Sequence, residues 1–369
     1  MTNVLIEGYE HMPSYDLTVR DMNRFSKHIP ILVRAKLTRE ITSADISWCD
    51  VLVSVRGNNP LSEYVAKRAK KADRKVLIVL DDDLMLYKSS HPYYDRLFAN
   101  SLRNILKISD GLITTSRYLG EKYKQAFGIK YVYVDTPVDD NQIKAPKALD
   151  PTRPIRIVYA AGPLHKLFFD SLISPILPHI EARYGDRLSI TVIGPDVDVS
   201  TANLNVNKIA SMPMKDYRAF MMENDFDIGL APLFNSEFCK SKYFNKYIEY
   251  SMYRIPAVYS DVMPYNLIVR DGENGMLAEN VPNIWFRKIC QLIDDEGIRN
   301  ACEEGAVTQM LNEFNTKQIA GNMYEGMIEC FSYKAPPLGK GFRINMPLVY
   351  LYSSTKRLLS AYWHEKIKK

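Results

Sequence analysis

The sequence predicts an α/β chain of two Rossmann-like domains, each with a parallel sheet, facing an inter-domain cleft. Its 369 residues fit the usual length of two domains. Short apolar runs alternate with helical stretches, which is typical of parallel sheets with crossover helices. This alternation stops once, over residues 135–154, and then resumes. The composition, 46% hydrophobic and 25% charged, excludes a disordered, collagen-like or coiled-coil chain.

Six strands are predicted in the first half of the chain. Most are near-continuous apolar runs, as expected for parallel strands that are buried on both faces. Helical patterns lie between them, for example at Leu61–Ala72 and Tyr94–Ile108, so right-handed crossovers are expected. The predicted strands are Val4–Ile6, Ile29–Val33, Val51–Val55, Val76–Leu80, Gly111–Thr114 and Tyr131–Val134.

A second set of six strands follows a proline-rich, polar stretch that we interpret as a linker at 141–154. The domains are therefore predicted at 1–140 and 155–333, with a tail at 334–369. In sheets of this kind, ligands lie beyond the carboxyl ends of the strands. The strands of the second set are Ile155–Ala160, Leu188–Ile193, Val206–Ala210, Phe226–Ala231, Ala257–Ser260 and Gly275–Ala278.

The positive charge of the chain is confined to the tail. Residues 334–369 carry eight basic side chains and one acid, Glu365, for a charge of +7, whereas 1–333 carries −2. A nearly neutral body argues against a nucleic-acid partner.

The five cysteines are scattered, with no CxxC pair, so free thiols in a reducing compartment are expected. No stretch approaches eighteen apolar residues, and the first residues are not those of a secretory signal. The expected location is therefore the cytoplasm.

The loop after strand Ile155–Ala160 contains Gly162, His165 and Lys166. Backbone N–H groups at a helix start attract anions, and a lysine adds a positive charge. The loop is therefore a candidate phosphate site. A turn glycine beside a solvated lysine explains the same residues.

The loop after strand Phe226–Ala231 is richer in candidate residues. A helix is predicted to begin near Ser241, a good N-cap residue, which places Lys242 on its first turn. Lys246 and Glu249 would share a face with Lys242, and Glu249 would lie about 10 Å from the helix start. That spacing suits a nucleotide, with its phosphates at the helix start and its ribose at Glu249. A surface ladder of salt bridges is the alternative.

Three stretches of the second half, "DFDIGLAPL", "KSKYFNKYIEYSMYRIPAVYSDVMPY" and "VRDGENGMLAEN", resemble the GT-B-type glycosyltransferases of the family-4 kind. The resemblance extends over essentially the whole chain, and the pattern "KSxxxxKxxEY" is similar to a bacterial polysaccharide-building subgroup. It implies a nucleotide-sugar co-substrate (the UDP, GDP or dTDP form is open), with no cofactor and no metal.

The resemblance also implies roles for individual residues. Glu249 would bind the ribose, Ser241 and Lys242 would contact the diphosphate, and Lys246 would lie on the donor side. Gly162, His165 and Lys166 would approach the phosphates from the opposite side. Many family members have a glutamate at the position of Ser241, so the donor sugar and the stereochemical outcome stay open.

The first half offers candidates for the acceptor side. Asp81, Asp82 and Asp83 follow strand Val76–Leu80 and resemble an acidic turn of the same subgroup, with a solvated loop as the alternative. A D-x-D metal site of single-domain transferases is a rival interpretation, which two sheets disfavour. Arg56 follows strand Val51–Val55 and could orient an acceptor, and His11 is a candidate general base or a surface histidine.

The tail mixes basic and aromatic residues, which is typical of segments that dock on an anionic membrane surface. Through 340–369 it would bring the enzyme to a lipid-linked acceptor at the inner face of the membrane. Packing of the same segment against the first domain is the alternative.

The predicted function is transfer of a sugar from a nucleotide donor to a glycan acceptor. Lys166 and Lys242 would stabilise the departing diphosphate. A sugar-nucleotide epimerase of the same fold and a non-catalytic nucleotide- or glycan-binding scaffold are the alternatives.

Overall fold

The computed structural model describes residues 1–86, 92–138, 140–146, 153–162, 165–199, 201 and 203–344. The chain divides into two compact units. The first contains Met1–Pro137, Ser241–Tyr243 and the described residues from Thr316, and the second contains Val138–Lys240 and Phe244–Asn315.

The first unit is built on a six-stranded parallel sheet of order β2-β1-β3-β4-β5-β6. Its strands are β1 (Thr2–Gly8), β2 (Ile31–Leu37), β3 (Val51–Val55), β4 (Lys75–Leu80), β5 (Gly111–Thr114) and β6 (Tyr131–Tyr133). Its helices are α1 (Pro13–Phe25), α2 (Ser43–Trp48), α3 (Pro60–Lys71), α4 (Pro92–Ile108) and α5 (Arg117–Phe127), with two more near the end of the chain.

The second unit has its own six-stranded parallel sheet, of order β12-β11-β10-β7-β8-β9. Its strands are β7 (Ile155–Ala160), β8 (Leu188–Gly194), β9 (Asn205–Ala210), β10 (Ile228–Ala231), β11 (Ala257–Ser260) and β12 (Met276–Ala278). Its helices are α6 (Lys166–Leu172), α7 (Leu177–Tyr184), α8 (Met214–Glu223), α9 (Glu237–Lys240), α10 (Asn245–Met252), α11 (Pro282–Asp294) and α12 (Glu296–Glu313).

All twelve predicted strands are present, and the prediction of two Rossmann-like parallel sheets is confirmed. Their bounds agree within two residues except at β2, which ends at Leu37, four residues beyond the predicted Val33. Continuous apolar runs form these strands because both faces of each central strand are covered. Every residue of β3, for example, is buried.

The strand orders show where, in each sheet, successive strands switch from being added at one edge to being added at the other. In the first unit, strands run outward from β1 to β2 and from β3 to β6, so the change lies between β1 and β3. In the second unit it lies between β7 and β10. Loops that leave the carboxyl ends of these two neighbouring strands separate and open a crevice, which is where ligands bind in such sheets.

The predicted end of the second domain at residue 333 needs correction, because the chain returns to the first unit from Thr316. Here α13 (Thr316–Gly326) packs against β6, and the carbonyl of Phe331 in α14 (Ile328–Phe331) accepts from the hydroxyl of Thr2 in β1 at 2.6 Å. Gly111 of β5 illustrates the fit, since a Cβ there would lie 2.6 Å from the sulfur of Met327.

The tail continues over the first unit as far as it is described. Ala335 N–H donates to Asp50 (2.9 Å), and Arg74 donates to the carbonyl of Pro336 (2.7 Å). Leu338 and Phe342 pack against the core of the unit. Packing on the first domain is thus the interpretation that holds for 334–344. The predicted membrane segment 340–369 lies mostly outside the described residues. No helix of the described part is long and apolar enough to span a bilayer.

Candidate functional site

The crevice of the second unit is organised by Tyr250 on α10. Its hydroxyl donates to the carbonyl of Leu230 at 3.1 Å and accepts from the N–H of Ala160 at 3.4 Å. These two residues lie near the carboxyl ends of β10 and β7, the strands between which the sheet changes direction. The hydrogen bonds therefore hold α10 at the position where this fold binds ligands.

Lys246 and Glu249 lie on the same face of α10, as predicted from their spacing. Lys246 Nζ lies 2.5 Å from Glu249 Oε2, and the two side chains are 23% and 17% exposed. Lys246 also lies over the rings of Tyr217 (5.2 Å) and Tyr250 (5.6 Å). Burial and the nearby charge of Glu249 raise the pKa of Tyr217 well above its usual value, so this phenol stays protonated. The carboxylate is thus half-buried among aromatic rings and paired with one cation.

The predicted helix start at Ser241 is wrong. The short α9 ends at Lys240, and α10 begins only at Asn245. Ser241 is fully buried and caps no helix, and Phe244 occupies the N-cap position without a side-chain cap. Tyr243 explains the difference, because its hydroxyl donates to Asp135 (3.1 Å) and accepts from Thr136 N–H (3.2 Å). Burial of this ring outweighs the local capping preference of a serine.

The new helix start changes the expected phosphate geometry. Lys242 lies before the helix, so it does not share a helix face with Lys246 and Glu249. Glu249 follows the first helical residue by four positions, or about 6 Å, rather than the predicted 10 Å. Lys242 packs with the first unit, where its Nζ lies 3.6 Å from Asp82 Oδ1.

The loop after β7 places the other donor-side candidates at the same crevice of the second unit. Gly162 is exposed, and nothing lies within 4 Å of a Cβ built on it. His165 is the N-cap residue of α6, and its ring lies against Phe168. Lys166 is held by Asp170 (2.7 Å) and Asp198 (3.1 Å), which raise the pKa of its ammonium. Its charge is therefore already compensated by two carboxylates.

The crevice of the first unit contains Arg56, the residue after β3. Its φ of 51° is in the left-handed region, which costs a side-chain-bearing residue about 1–2 kcal/mol. Its Nη1 donates to Asp81 (2.7 Å) and to Asp82 (3.1 Å). Burial by itself would lower the pKa of the Arg56 guanidinium. The two nearby carboxylates have the larger effect, so the pKa is raised. Ser14 also donates to Asp81, at 2.6 Å.

Asp83 does not belong to this acceptor-side cluster. It is fully buried and accepts from Lys122 (2.7 Å) and from the hydroxyl of Tyr123 (2.8 Å). Asp81 and Asp83 therefore face different partners, and the D-x-D pattern does not form a convergent pair of metal ligands. Among the described residues, no group of three or more His, Cys, Asp or Glu side chains could hold a metal ion.

His11 lies in the loop after β1 and is largely exposed, with Nδ1 3.1 Å from Asp16. The loop is shaped by Gly8, where a Cβ would lie 2.3 Å from the ring of Tyr15. A carboxylate on Nδ1 is the arrangement that orients a histidine base, so the structure retains His11 as a candidate.

Glu7 is a buried carboxylate that sequence reasoning missed. It lies in β1, fully buried, and accepts hydrogen bonds from the hydroxyls of Thr38, Ser54 and Ser62. Thr38 follows β2, Ser54 lies in β3, and Ser62 lies in the first turn of α3. Glu7 therefore connects the elements around the crevice of the first unit. An acid within the run "VLIEGY" is the signal that could have identified it.

Burial raises the pKa of Glu7 above its usual value. The folded state therefore holds this proton more tightly than the unfolded chain. The free energy of unfolding should fall as the pH rises from about 4.5 through the raised pKa. We expect Glu7→Gln to remove this component. Urea unfolding at several pH values should show wild-type stability falling relative to the variant in that range. Parallel pH profiles would contradict the assignment.

The "DGENG" motif, residues 271–275, has a structural role. Gly272 has φ +82°, and Asn274 accepts from the N–H of Arg270 (2.6 Å) and donates to Gln309 (2.7 Å). Gln309 also accepts from the hydroxyl of Tyr247 on α10. The turn therefore braces the helix that carries Glu249.

No protein-family model matches the chain, and no curated protein sequence does so. Solved structures, however, share its fold. Anabaena HepE in complex with UDP-glucose has a TM-score of 0.62 at 12% identity, over 89% of this chain and 100% of HepE. A putative UDP-N-acetylglucosamine 2-epimerase from Listeria monocytogenes has a TM-score of 0.55 at 9% identity, over 91% of this chain and 98% of the epimerase chain.

TarM is similar with a TM-score of 0.54 at 14% identity. The match includes 76% of this chain but only 54% of the length of TarM. A mutant of S. aureus TarM has been solved with fondaparinux, α-GlcNAc-glycerol and UDP. At these identities the similarity establishes the fold alone. The chain has the GT-B fold, as these structures do.

Proposed function

We propose that this protein is a glycosyltransferase that moves a sugar from a nucleotide-sugar donor to a glycan acceptor in bacterial surface polysaccharide synthesis. The observation that carries the proposal is the half-buried Glu249, paired with Lys246 at the point where the second sheet changes direction. A carboxylate in that position can accept both ribose hydroxyls, which an apolar crevice would leave without partners. HepE and TarM, which share the fold, have been solved with UDP-glucose and with UDP.

Lys242 is the proposed cation for the leaving group. It lies seven residues before Glu249 in the chain, and its contact with Asp82 is a loose one at 3.6 Å. A phosphate oxygen can replace such a contact. Positive charge at the diphosphate then stabilises the negative charge that develops as the sugar departs. Lys166, whose ammonium is paired with Asp170 and Asp198, is the second proposed cation.

The acceptor is proposed to be a glycan or a lipid-linked glycan, with Arg56 and Asp82 orienting it. His11 could remove the acceptor proton if the configuration is inverted. If the configuration is retained, a donor phosphate oxygen can take this proton instead. A lipid-linked acceptor would place the enzyme at the cytoplasmic side of the membrane.

The epimerase is the second candidate, because a putative UDP-N-acetylglucosamine 2-epimerase shares this fold over nearly the whole chain. The two functions differ in their products. Labelled UDP-, GDP- and dTDP-sugars should be incubated with the protein, with and without a bacterial lipid extract. Transfer of label to the lipid or glycan fraction supports the transferase. Isomerised sugar without acceptor supports the epimerase, and binding without turnover supports a scaffold.

Lys246 offers a sharper prediction about the donor. Since its amine is bound to Glu249, we expect it to orient that carboxylate rather than to contact phosphate. Lys246→Met should therefore weaken the binding of a nucleoside monophosphate and of the corresponding diphosphate by the same factor. We expect about 3- to 10-fold, the net value of one ordinary hydrogen bond, because Lys246 acts on the ligand only through Glu249. Calorimetry compares the two ligands, with Lys215→Met on the exposed surface of α8 as the control. A larger loss for the diphosphate would show that Lys246 binds phosphate directly.

A further inference from the structure

The first unit carries a basic face that the proposed donor and acceptor sites do not use. It is formed by α3, α4 and the segment 338–344 of the tail. Its exposed cations are Lys67, Lys71, Arg103, Lys107, Lys340 and Arg343.

Contacts between the three elements show that these cations are neighbours. Asn104 of α4 donates to Glu63 of α3 at 2.8 Å, and Lys67 pairs with the same carboxylate. On the other flank of α3, Arg68 lies over the ring of Phe342 (4.4 Å) and donates to the carbonyl of Arg343. The tail segment, α3 and α4 therefore lie side by side in that order.

Helical spacing turns the cations outward. Lys67 and Lys71 are four residues apart on α3, as are Arg103 and Lys107 on α4, so each pair shares an exposed face. With an interaxial distance of about 8–10 Å between α3 and α4 and the tail segment beside α3, the cations of the three elements lie on one broad surface. Asp110 does not neutralise it, because its carboxylate is held by Lys70 (2.8 Å) and Lys75 (3.2 Å). Asp73 is an exposed acid at its edge.

We propose that this face docks on an anionic lipid surface. A broad basic face is complementary to the negative potential of such a leaflet, where each lysine or arginine contributes about 1 kcal/mol of attraction. The sequence that follows supports lipid over other polyanions. The described part of the tail ends beside this face at Ile344, whose N–H donates to Ser43 at 2.9 Å. The next 25 residues add five cations together with Tyr362 and Trp363, and aromatic residues of this kind favour a membrane interface.

The test is co-sedimentation of the full chain with vesicles of phosphatidylcholine, with and without about a third of phosphatidylglycerol. We expect sedimentation only with the anionic vesicles, and release at about 1 M salt, where the Debye length is near 3 Å. Lys71→Gln/Lys107→Gln should weaken vesicle binding by about 25-fold, or fivefold for each charge. The control Lys215→Gln/Lys317→Gln removes two exposed charges elsewhere and should sediment as the wild type does.

Several outcomes would overturn the proposal. These are equal sedimentation with neutral vesicles, wild-type binding by the double variant, and equal loss in the control. A chain that ends at residue 344 extends the test: complete loss of binding would show that the last residues dock alone. Stronger retention on heparin or DNA than on the vesicles would show that the face binds another polyanion. None of these measurements needs a sugar nucleotide, so their results stand apart from the proposed transfer activity.

Discussion

Replacing Lys242 by methionine is expected to lower the turnover number by roughly 10²–10³-fold, the usual effect of removing one group that stabilises charge in a transition state. The departing diphosphate gains negative charge as the glycosidic bond breaks, and methionine keeps the length of the side chain without its charge. The turnover number at saturating donor concentration should therefore fall by a larger factor than the affinity for the donor.

The matched control for this change is Lys240→Met, two residues earlier. Lys240 pairs with Glu237 at 2.8 Å within α9 and should tolerate the substitution with nearly unchanged turnover. Lys242→Arg, which keeps the charge, should recover part of the lost rate. If Lys242→Met turns over within about twofold of the wild type, less than 1 kcal/mol of stabilisation is involved. The proposed role of the lysine would then be wrong.

Glu249→Gln is expected to weaken binding of the nucleoside diphosphate by about 1.5–3 kcal/mol, or roughly 10- to 150-fold. The amide is nearly isosteric, but it replaces one acceptor oxygen by a donor and leaves the ammonium of Lys246 without its charged partner. Calorimetry measures the loss directly. Glu304→Gln, on the exposed surface of α12, removes an equal charge from the same unit and should bind as tightly as the wild type.

The folding of the Glu249→Gln variant can be checked independently. Tyr250 should still hold α10 through Leu230 and Ala160, so the unfolding midpoint should change little. Unchanged affinity in a folded variant would contradict the donor site in the second unit.

The strands could be predicted closely because their information is local. A short run of mostly β-branched residues such as Val51–Val55 favours a covered strand over a helix, and the structure has it with the same bounds. The carboxyl ends of these strands then point to the loops that hold the candidate site residues. The shared helix face of Lys246 and Glu249 could be predicted for the same reason, since their spacing of three is local to one helix.

The start of that helix could not be predicted, because the deciding contacts are distant in sequence. Tyr243 is held by Asp135, more than a hundred residues earlier, and this contact moves the helix start from Ser241 to Asn245. The burial of Asp83 likewise depends on Lys122 and Tyr123. Local capping preferences are worth about 1 kcal/mol, less than the burial of one aromatic ring.

The return of the chain to the first unit at Thr316 could not be predicted from the sequence for a similar reason. The helical pattern of 316–331 identifies an amphipathic element but does not say which sheet it covers. The sheet against which it packs depends on how well the side chains fit together, as they do where Met327 lies against Gly111.

The donor site is tested most directly by a crystal structure with the nucleoside diphosphate that binds most tightly among UDP, GDP and dTDP. We expect a ribose hydroxyl about 2.6–3.0 Å from a carboxylate oxygen of Glu249, beside the carboxyl ends of β7 and β10. Clear density for the nucleotide elsewhere in the molecule, with no ribose hydroxyl at Glu249, would contradict this donor site.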